Sequence, residues 1–391
     1  MARLEIAVAG AGIGGLAAAL FLARAGHRVV VVERFGSPRP VGSGLIIQPT
    51  GFSVLEALGL GEAVAAHGRP IRRLFGEAGG RTVLDVRYRT LGREGLGVHR
   101  SALFGALLEA AERQDGVSFE TGFEIERMER GAGGRPILVG NSDARVGPFD
   151  AVIDAAGSRS PLSAGFPDRR RALAYGALWS DVEWPGAPFD ETALEQRYEA
   201  ARKMVGLLPI GRRFGEETPL AAFFWSLKPA SYTHWRERGI SAWKDEVFRL
   251  WPAAAEAIQS ITHADDLVLA RYGHHTLATP YGERFAVIGD AAHSTSPQLG
   301  QGANMALLDA EALGRAFATI SDPTEAAQAY AVARKTHVRL YQAISRLFTP
   351  VYQSDSRLLP LARDRFAAPL SRLPVVDRLL ARLVSGEIGR G

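Results

Sequence analysis

The chain of 391 residues is 47% hydrophobic and 23% charged, carries a formal net charge of +4 and contains no cysteine. That length suffices for two domains around a large core. The missing thiols exclude disulfides, iron–sulfur clusters, thiolate nucleophiles and a cysteinyl cofactor link, and the small charge, with no basic run interleaved with aromatics, argues against nucleic-acid binding.

The first stretch, Ile6 to Arg34, reads strand, glycine turn, helix, strand, acid. Ile6–Ala9 is a short apolar run with strand character, and Gly10, Gly12 and Gly15 form G-x-G-x-x-G. Leu16 to Ala25 suits a helix of small residues, and Arg28–Val32 is a β-branched run that ends at Glu33. Gly10 permits a tight turn, Gly12 lets the backbone approach a pyrophosphate, and Gly15 lets the helix lie close on the sheet. The helix start offers free N–H groups and the positive end of its dipole to phosphates. Glu33, eighteen residues after Gly15, is placed to accept the hydroxyls of an adenosine ribose, with Arg34 beside it. A secretory leader is the other reading of LAAALFLARA, but Arg3 alone is basic before it and the glycines have no role in a leader. This motif by itself does not choose between NAD and FAD.

Beyond Arg34 lies a Gly/Pro-rich loop, then a strand-like run LIIQPT and a helix over Phe52–Leu60. Ile71–Val86 alternates around Gly79-Gly80, a hairpin signal and an excursion into a second domain. Gly97–Ala111 carries Leu103, Leu107 and Ala111 at helical spacing, with Arg100 at its start, either a solvated charge or a pyrophosphate contact. Val117–Glu129 and Arg135–Val146 read as strands, as does Ala151–Ile153 before Gly157. The region 171–275 holds all six tryptophans and strand-like pieces at Leu173–Val182, Met204–Ile210 and Ala221–Ser226, with a helix around Ser241–Leu250. An antiparallel sheet with aromatic contents suits an organic-substrate pocket, and equally a plain core.

The stretch Arg284–Asp309 makes the choice of cofactor. Phe285–Ile288 is a buried-type strand that ends at Gly289-Asp290, followed by a Pro/Gly loop and a helix beginning near Asn304. The strand end presents Asp290 to a sugar or ribityl hydroxyl. Pro297–Gly302 has little side-chain bulk, so its backbone can meet a planar ring, and the helix start at Gln301–Asn304 aims N–H groups at the charge that a reduced flavin develops.

With both motifs in view, the sequence resembles the class A flavoprotein aromatic hydroxylases of the p-hydroxybenzoate hydroxylase type, which include the ubiquinone-biosynthesis and hydroxypyridine hydroxylases. The resemblance covers most of the chain. It implies an α/β fold: a Rossmann-like FAD-binding domain (residues 1–70, 97–170 and 276–340), an inserted, mostly antiparallel substrate domain (71–96 and 171–275) and a helical C-terminal region (341–391). It implies that Gly10, Gly12, Gly15 and Glu33 hold the ADP half of FAD. Arg100, in H-R-x-x-L-x-x-x-L, then contacts the phosphate and ribityl region, and Ile125 lies by the adenine. Asp290 in GDAAH binds the ribityl chain, and Pro297, Gly300, Gln301, Gly302 and Asn304 form the flavin-ring loop. The family's middle motif, Asp-Gly-x-x-Ser-x-x-Arg, is altered: its aspartate is Ala156 and its arginine Ser163, while Asp154 stands two residues upstream. That motif serves FAD and NAD(P)H alike.

The resemblance further implies that NADH or NADPH reduces FAD, that O2 adds to give a C4a-hydroperoxide, and that its distal oxygen passes to an electron-rich ring. The alternatives within the fold are a flavin dehydrogenase, oxidase or reductase without oxygen insertion, and a flavin-binding module without turnover. The halogenase pattern W-x-W-x-I-P is absent. Gln48, Tyr175, Trp179 and Trp225 are candidate pocket residues. Tyr272, His274 and His275 are candidate acid–base groups, though such histidines also serve as structural ones. His293 reads as support for the GDAAH loop. No His/Asp/Glu pair stands at ligand spacing on an evident helix, so no metal is expected. Pro350, Pro360, Pro369 and Pro374 divide the Arg-rich tail into short helices, which either lie on a membrane surface or, the preferred reading, pack on the FAD domain or a dimer mate. No run reaches membrane-span length, the expected partners are a small-molecule substrate and O2, the expected state is a monomer or homodimer, and the expected location is the cytoplasm.

Overall fold

A computed structural model describes residues 2–40, 42–166, 170–371 and 373–389. Its first sheet grows from the apolar runs. Strands run in the order Tyr281–Gly282, Phe285–Val287, Ala151–Asp154, Glu5–Ala9, Arg28–Glu33 and Val117–Thr121. All neighbours are parallel except the short Tyr281–Gly282 edge. Such strands are apolar on both faces because both are covered, here by helices on one side and by the antiparallel strands Ile125–Arg130 and Pro136–Gly140 on the other. On one face lie α1 (Ile13–Arg24), α4 (Arg100–Arg113) and α6 (Gly302–Thr319). Small residues set their spacing: a Cβ on Gly14 would stand 3.1 Å from the Ala306 Cβ, and one on Gly314 would stand 2.5 Å from the Phe21 Cβ. On the other face, Val152, Phe285 and Val287 meet Phe123, Leu138 and Phe149.

The hairpin Arg73–Ala78 and Arg81–Arg87 leaves this unit and joins a seven-stranded sheet with Ala193–Glu199, Lys203–Gly211, Leu220–Leu227, Gly176–Glu183 and Val268–Ala270. Side-chain alternation divides that sheet. Leu178, Val205, Phe223 and Trp225 pack on Trp235, Trp243 and Val247 of α5 (Tyr232–Leu250), while Met204, Leu208, Ile210 and Phe224 face the opposite way. A three-stranded sheet of Gly44–Ile47, Gly95–His99 and Arg69–Ile71 joins the two units. There Asp181 of the larger sheet accepts hydrogen bonds from His99 Nε2 (2.9 Å), Arg213 Nη2 (3.1 Å) and the Ser43 hydroxyl.

Local readings differ from this architecture where tertiary context decides. The helix expected over Phe52–Leu60 is α2, Pro49–Ala57, started by a proline at its first position, with the short α3 (Gly61–Ala65) after it. The first residues of Gly97–Ala111 are the end of a buried strand, and α4 starts at Arg100. Helix α5 begins at Tyr232 and absorbs a non-helical Gly239. Ala193–Glu199, with charges at alternate positions, gives no strand signal, yet pairs on both sides. In the tail, Pro350 does not break its helix. It sits in the last turn of α7 (Pro323–Tyr352), which runs uninterrupted across residue 341. Pro360 lies in the first turn of α8 (Leu358–Ser371) and Pro374 opens α9 (Pro374–Ser385), both positions where a missing N–H costs nothing. The side chain of Pro369 lies outside the described residues.

Candidate active site

The carboxyl ends of the parallel strands deliver the functional groups to one edge, as the open α/β layout requires. Ala9 leads into the glycine turn, Arg28–Glu33 ends on its acid, Ala151–Asp154 ends beside the turn, and Phe285–Val287 leads to Asp290. Gly10 has φ +101°, and a Cβ there would meet the Ala155 carbonyl oxygen at 2.9 Å. A Cβ on Gly15 would stand 2.0 Å from the Gly10 oxygen, so helix and turn touch backbone to backbone. Gly12 differs: nothing lies within 4 Å of its would-be Cβ. It caps α1 without a side-chain bond, so the first N–H groups of the helix face an open space.

Glu33 is buried, and its two oxygens accept the backbone N–H groups of Ala11 (2.8 Å) and Phe35 (3.1 Å). Each oxygen retains a lone pair for a hydroxyl donor. Arg34 is exposed, its guanidinium over the Phe35 ring at 4.7 Å. Ile125 stands next to this end, since Phe123 N–H donates to the Glu33 carbonyl and Ile125 packs in the same cluster as Val32.

Arg100 projects from the start of α4 against Gly42, where a Cβ would stand 3.2 Å from the Arg100 Nε. That Nε is buried and has no hydrogen-bond partner. Asp290, open to solvent at the strand end, is its electrostatic partner across the cleft. The Asp290 Oδ1 is 4.0 Å from the would-be Cβ of Gly302, the first residue of α6. Pro297–Leu299 forms a single turn, capped by the Ser296 hydroxyl and closed by Gly300 in the left-handed conformation. A cation with an unsatisfied buried donor, an open glycine-lined helix start and a carboxylate at the strand end are the donor and acceptor set that a dinucleotide pyrophosphate and a polyol chain need. The residues present fit FAD.

Asn304 does something other than face a ring. Its Oδ1 accepts from Gln48 N (2.8 Å), and its Nδ2 donates to the carbonyls of Gly300 (2.9 Å) and Ile46 (3.3 Å). The side chain is consumed in tying the 44–47 strand to α6, which leaves only the helix-start backbone for a ligand. Gln48 in turn accepts from the buried Tyr88 hydroxyl at 2.6 Å, and burial raises that phenol's pKa. The Gln48 Nε2 lies 3.4 Å from the would-be Cβ of Gly300. Tyr88 was not among the sequence candidates; its only signal was its place just after the hairpin excursion.

Trp179 and Tyr272 come together: the indole Nε1 donates to the Tyr272 hydroxyl at 2.7 Å. Trp179 also packs on Phe224 with ring centroids 4.8 Å apart. Burial pushes the Tyr272 hydroxyl up to about 12, against the opposing effect of the Trp179 bond. Trp225 belongs elsewhere. It is 2% exposed and meets Trp243 edge-on at 6.5 Å, on the helix-covered face of the sheet. It is a core residue because its strand parity is opposite to that of Phe224. The Tyr175 hydroxyl is also engaged away from Trp179, donating to Asp355 at 2.8 Å.

Of the two histidines, His275 Nε2 donates to the Ala291 carbonyl at 2.8 Å and so supports the turn that carries Asp290. His274 is buried on the opposite side of the strand. Burial first, then the charge of Arg346, holds its imidazole below its usual pKa and so neutral. The altered middle motif is turned inward: Asp154 accepts from Ala156 N (3.1 Å) and the Ser160 hydroxyl (2.7 Å). Burial raises its carboxyl to about 6 despite those bonds. His293 supports the site from behind, its Nε2 bonded to Asp309 at 2.6 Å. Among the described residues no group of three His, Asp or Glu side chains is placed to hold a metal.

Comparison with known proteins identifies the family and the fold. The family described as "FAD binding domain" matches residues 3–340. An FAD-dependent urate hydroxylase of Klebsiella pneumoniae is 29% identical over 86% of this chain and 87% of its own length. The 3-hydroxybenzoate 6-hydroxylase 1 of Aquipseudomonas alcaligenes is 27% identical over 90% and 89%. Among solved structures, Klebsiella pneumoniae HpxO complexed with FAD and uric acid superposes with TM-score 0.81 at 23% identity over 99% of this chain and 98% of that one. The tetrameric form of 2-methyl-3-hydroxypyridine-5-carboxylic acid oxygenase gives 0.79 at 20% identity over 94% and 97%. The chain belongs to the FAD binding domain family, and its relatives include FAD-dependent aromatic hydroxylases.

Proposed function

We propose that this protein is an FAD-dependent monooxygenase that hydroxylates an aromatic small molecule with O2 and NADH or NADPH. The observation that carries the reading is the convergence of Arg100, with its unpartnered buried Nε, and Asp290 on the start of α6, at the edge where the glycine turn and Glu33 also arrive. Bound FAD supplies the redox and oxygen chemistry. The chain's residues then have separate tasks. Gly10, Gly12 and Gly15 let the backbone meet the pyrophosphate, Glu33 accepts from the ribose, and Ile125 borders the adenine. Arg100 neutralises phosphate charge, and Asp290 accepts from the ribityl chain. Pro297, Gly300, Gln301 and Gly302 border the ring, and the first N–H groups of α6 stabilise negative charge that develops there.

In this reading the substrate lies between this loop and the inner face of the larger sheet, against Trp179 and Tyr272, which keep exposed surface, while buried Gln48, Tyr88 and Phe224 pack the wall. Those walls are aromatic, with hydroxyls and one carboxamide, and suit a flat ring that bears hydrogen-bonding substituents. Tyr272 meets the substrate directly. It acts as a neutral hydrogen-bonding group: a phenol keeps its proton at neutral pH, and burial raises its pKa further. Its contribution is orientation rather than general-base catalysis. His275 positions the Asp290 turn.

The test is turnover by purified protein with a panel of hydroxylated aromatic acids. The reading expects NAD(P)H oxidation stimulated by substrate and one hydroxyl added per NAD(P)H consumed. Oxidation of NAD(P)H or substrate with no oxygen inserted would instead assign a flavin dehydrogenase or oxidase on the same fold.

A further inference from the structure

The far end of the chain closes on the ring loop. Helix α9 ends in a turn, Leu383 to Gly386, whose consecutive carbonyls each accept a hydrogen bond from a buried side chain elsewhere. The Tyr341 hydroxyl donates to the Leu383 oxygen at 2.7 Å. Gln301 Nε2 donates to Val384 at 2.6 Å, the Thr50 hydroxyl to Ser385 at 2.8 Å, and His337 Nε2 to Gly386 at 3.0 Å. The direction of the last bond is fixed. Arg334 Nη1 lies 2.8 Å from His337 Nδ1, and a guanidinium only donates, so the ring proton sits on Nε2. The last carbonyls of a helix have no partners of their own, and here α2, the ring loop and α7 provide them. The fit admits no side chain at Gly386: it has φ +87°, and a Cβ would stand 2.3 Å from the Thr50 hydroxyl oxygen.

One of these donors, Gln301, caps the start of α6. Its carboxamide is buried and given to Val384. Val384 itself packs in the cluster that contains Ile46, Tyr88 and Ile210, with Trp179 against it. The same turn therefore touches the ring loop through its backbone and the inner face of the substrate sheet through its side chain.

We propose that the Leu383–Gly386 turn is a positioning clasp for the flavin-ring loop. When α9 is seated, Gln301 is fixed and the start of α6 is set for the ring; when α9 leaves, the loop loses that support. The inference rests on the reading that Pro297–Gly302 borders the flavin. Because coupling free energy is reciprocal, bound FAD must in turn hold α9 in place.

Hydrogen exchange on the full chain, with and without FAD, tests the reciprocal half. The expected result is slower exchange across residues 381–389 in the FAD-loaded protein. The other half uses the double variant Thr50→Val, Tyr341→Phe, which removes two clasp donors. Loss of two neutral hydrogen bonds predicts FAD binding weakened about tenfold or more. At saturating FAD it also predicts a larger share of oxidised NAD(P)H ending as hydrogen peroxide instead of product. Thr50→Ser, which keeps the hydroxyl, is expected to behave as the parent. Exchange at 381–389 that ignores FAD, together with unchanged FAD affinity and peroxide share in the double variant, overturns the clasp and leaves the flavin site standing. A parent protein that binds no FAD overturns the reading of the loop itself.

Discussion

The carboxylate of Asp309 on α6 and the guanidinium of Arg334 on α7 meet at 2.7 Å with both side chains buried. Asp309 also accepts from Gly289 N at 2.9 Å and from His293, so the turn that carries Asp290 hangs on this pair. Burial works against the carboxylate, but the charges of His293 and Arg334 outweigh it and hold its pKa well below the usual range. Removing one member strands the other charge in the core. Arg334→Met is expected to cost about 3–5 kcal/mol of stability, measured by denaturant unfolding, and Asp309→Ala a similar amount. A loss under 1 kcal/mol for both would show that the pair is not what anchors the turn.

Arg100 carries the cofactor reading most directly. Arg100→Ala is expected to weaken FAD binding about 10- to 100-fold, the range for losing hydrogen bonds to a charged group. Thermal stability of the FAD-free protein should change little or rise, because the residue's buried Nε has no protein partner to lose. Titration of the FAD-free protein followed by fluorescence quenching measures it; unchanged affinity would remove Arg100 from the site.

Asp154 should make stability fall as pH rises. Its folded-state carboxyl is raised by burial to about 6 from 3.8, so the folded chain holds the proton more tightly than the unfolded one. The contribution is fully present below the unfolded pKa and lost as pH rises through about 6. Asp154→Asn keeps an acceptor for Ala156 N and a donor for Ser160. It should therefore be more stable than the parent at pH 8, by a few kcal/mol at most, and no better at pH 3.5. Urea unfolding at the two pH values decides; an equal effect at both would exclude a proton-linked origin.

At the junction of the two sheets the sign is opposite. Burial opposes the Asp181 charge, but hydrogen bonds from His99 and Ser43, with Arg213 adding, bring its carboxyl below the usual value. Its contribution is present above the unfolded pKa and lost as pH falls through the folded one. Between pH 5 and 3 the parent should lose stability more steeply than Asp181→Asn, as followed by the thermal midpoint. Parallel decline of the two proteins would contradict this.

How far the sequence could be read follows from where the constraints lie. The glycine turn, the strand–acid ending at Glu33 and the 285–290 stretch were legible because each is a local pattern with a local physical reason. The family resemblance then joined segments far apart in the chain. Trp225 was misplaced because both faces of the seven-stranded sheet are apolar, so periodicity shows a strand without showing which side faces the ligand. The pairing resolves it: Trp179 stands opposite Phe224 and Leu178 opposite Trp225, so the two tryptophans lie on different faces. Asn304 was legible as part of a helix start, but its side-chain bonds to residues 46, 48 and 300 depend on tertiary contact alone. The same holds for the Asp309–Arg334 pair, which joins two helices, and for the carbonyls of residues 383–386.

That correction separates two tryptophans by experiment. Trp225→Ala should cost about 3–5 kcal/mol of stability through the cavity it leaves. Trp179→Phe, which keeps an aromatic ring but loses the bond to Tyr272, should raise KM for the aromatic substrate with little loss of stability. Steady-state kinetics beside unfolding curves reads both; a substrate effect confined to the Trp225 variant would reverse the assignment of faces.

The most direct test of the central claim is turnover of the FAD-loaded protein with NADH or NADPH and an aromatic substrate under isotopically labelled dioxygen, read by mass spectrometry. The account predicts a yellow protein and a product that carries one labelled oxygen atom. A colourless protein that takes up no FAD, or a yellow one whose oxidised product carries no label, would contradict it.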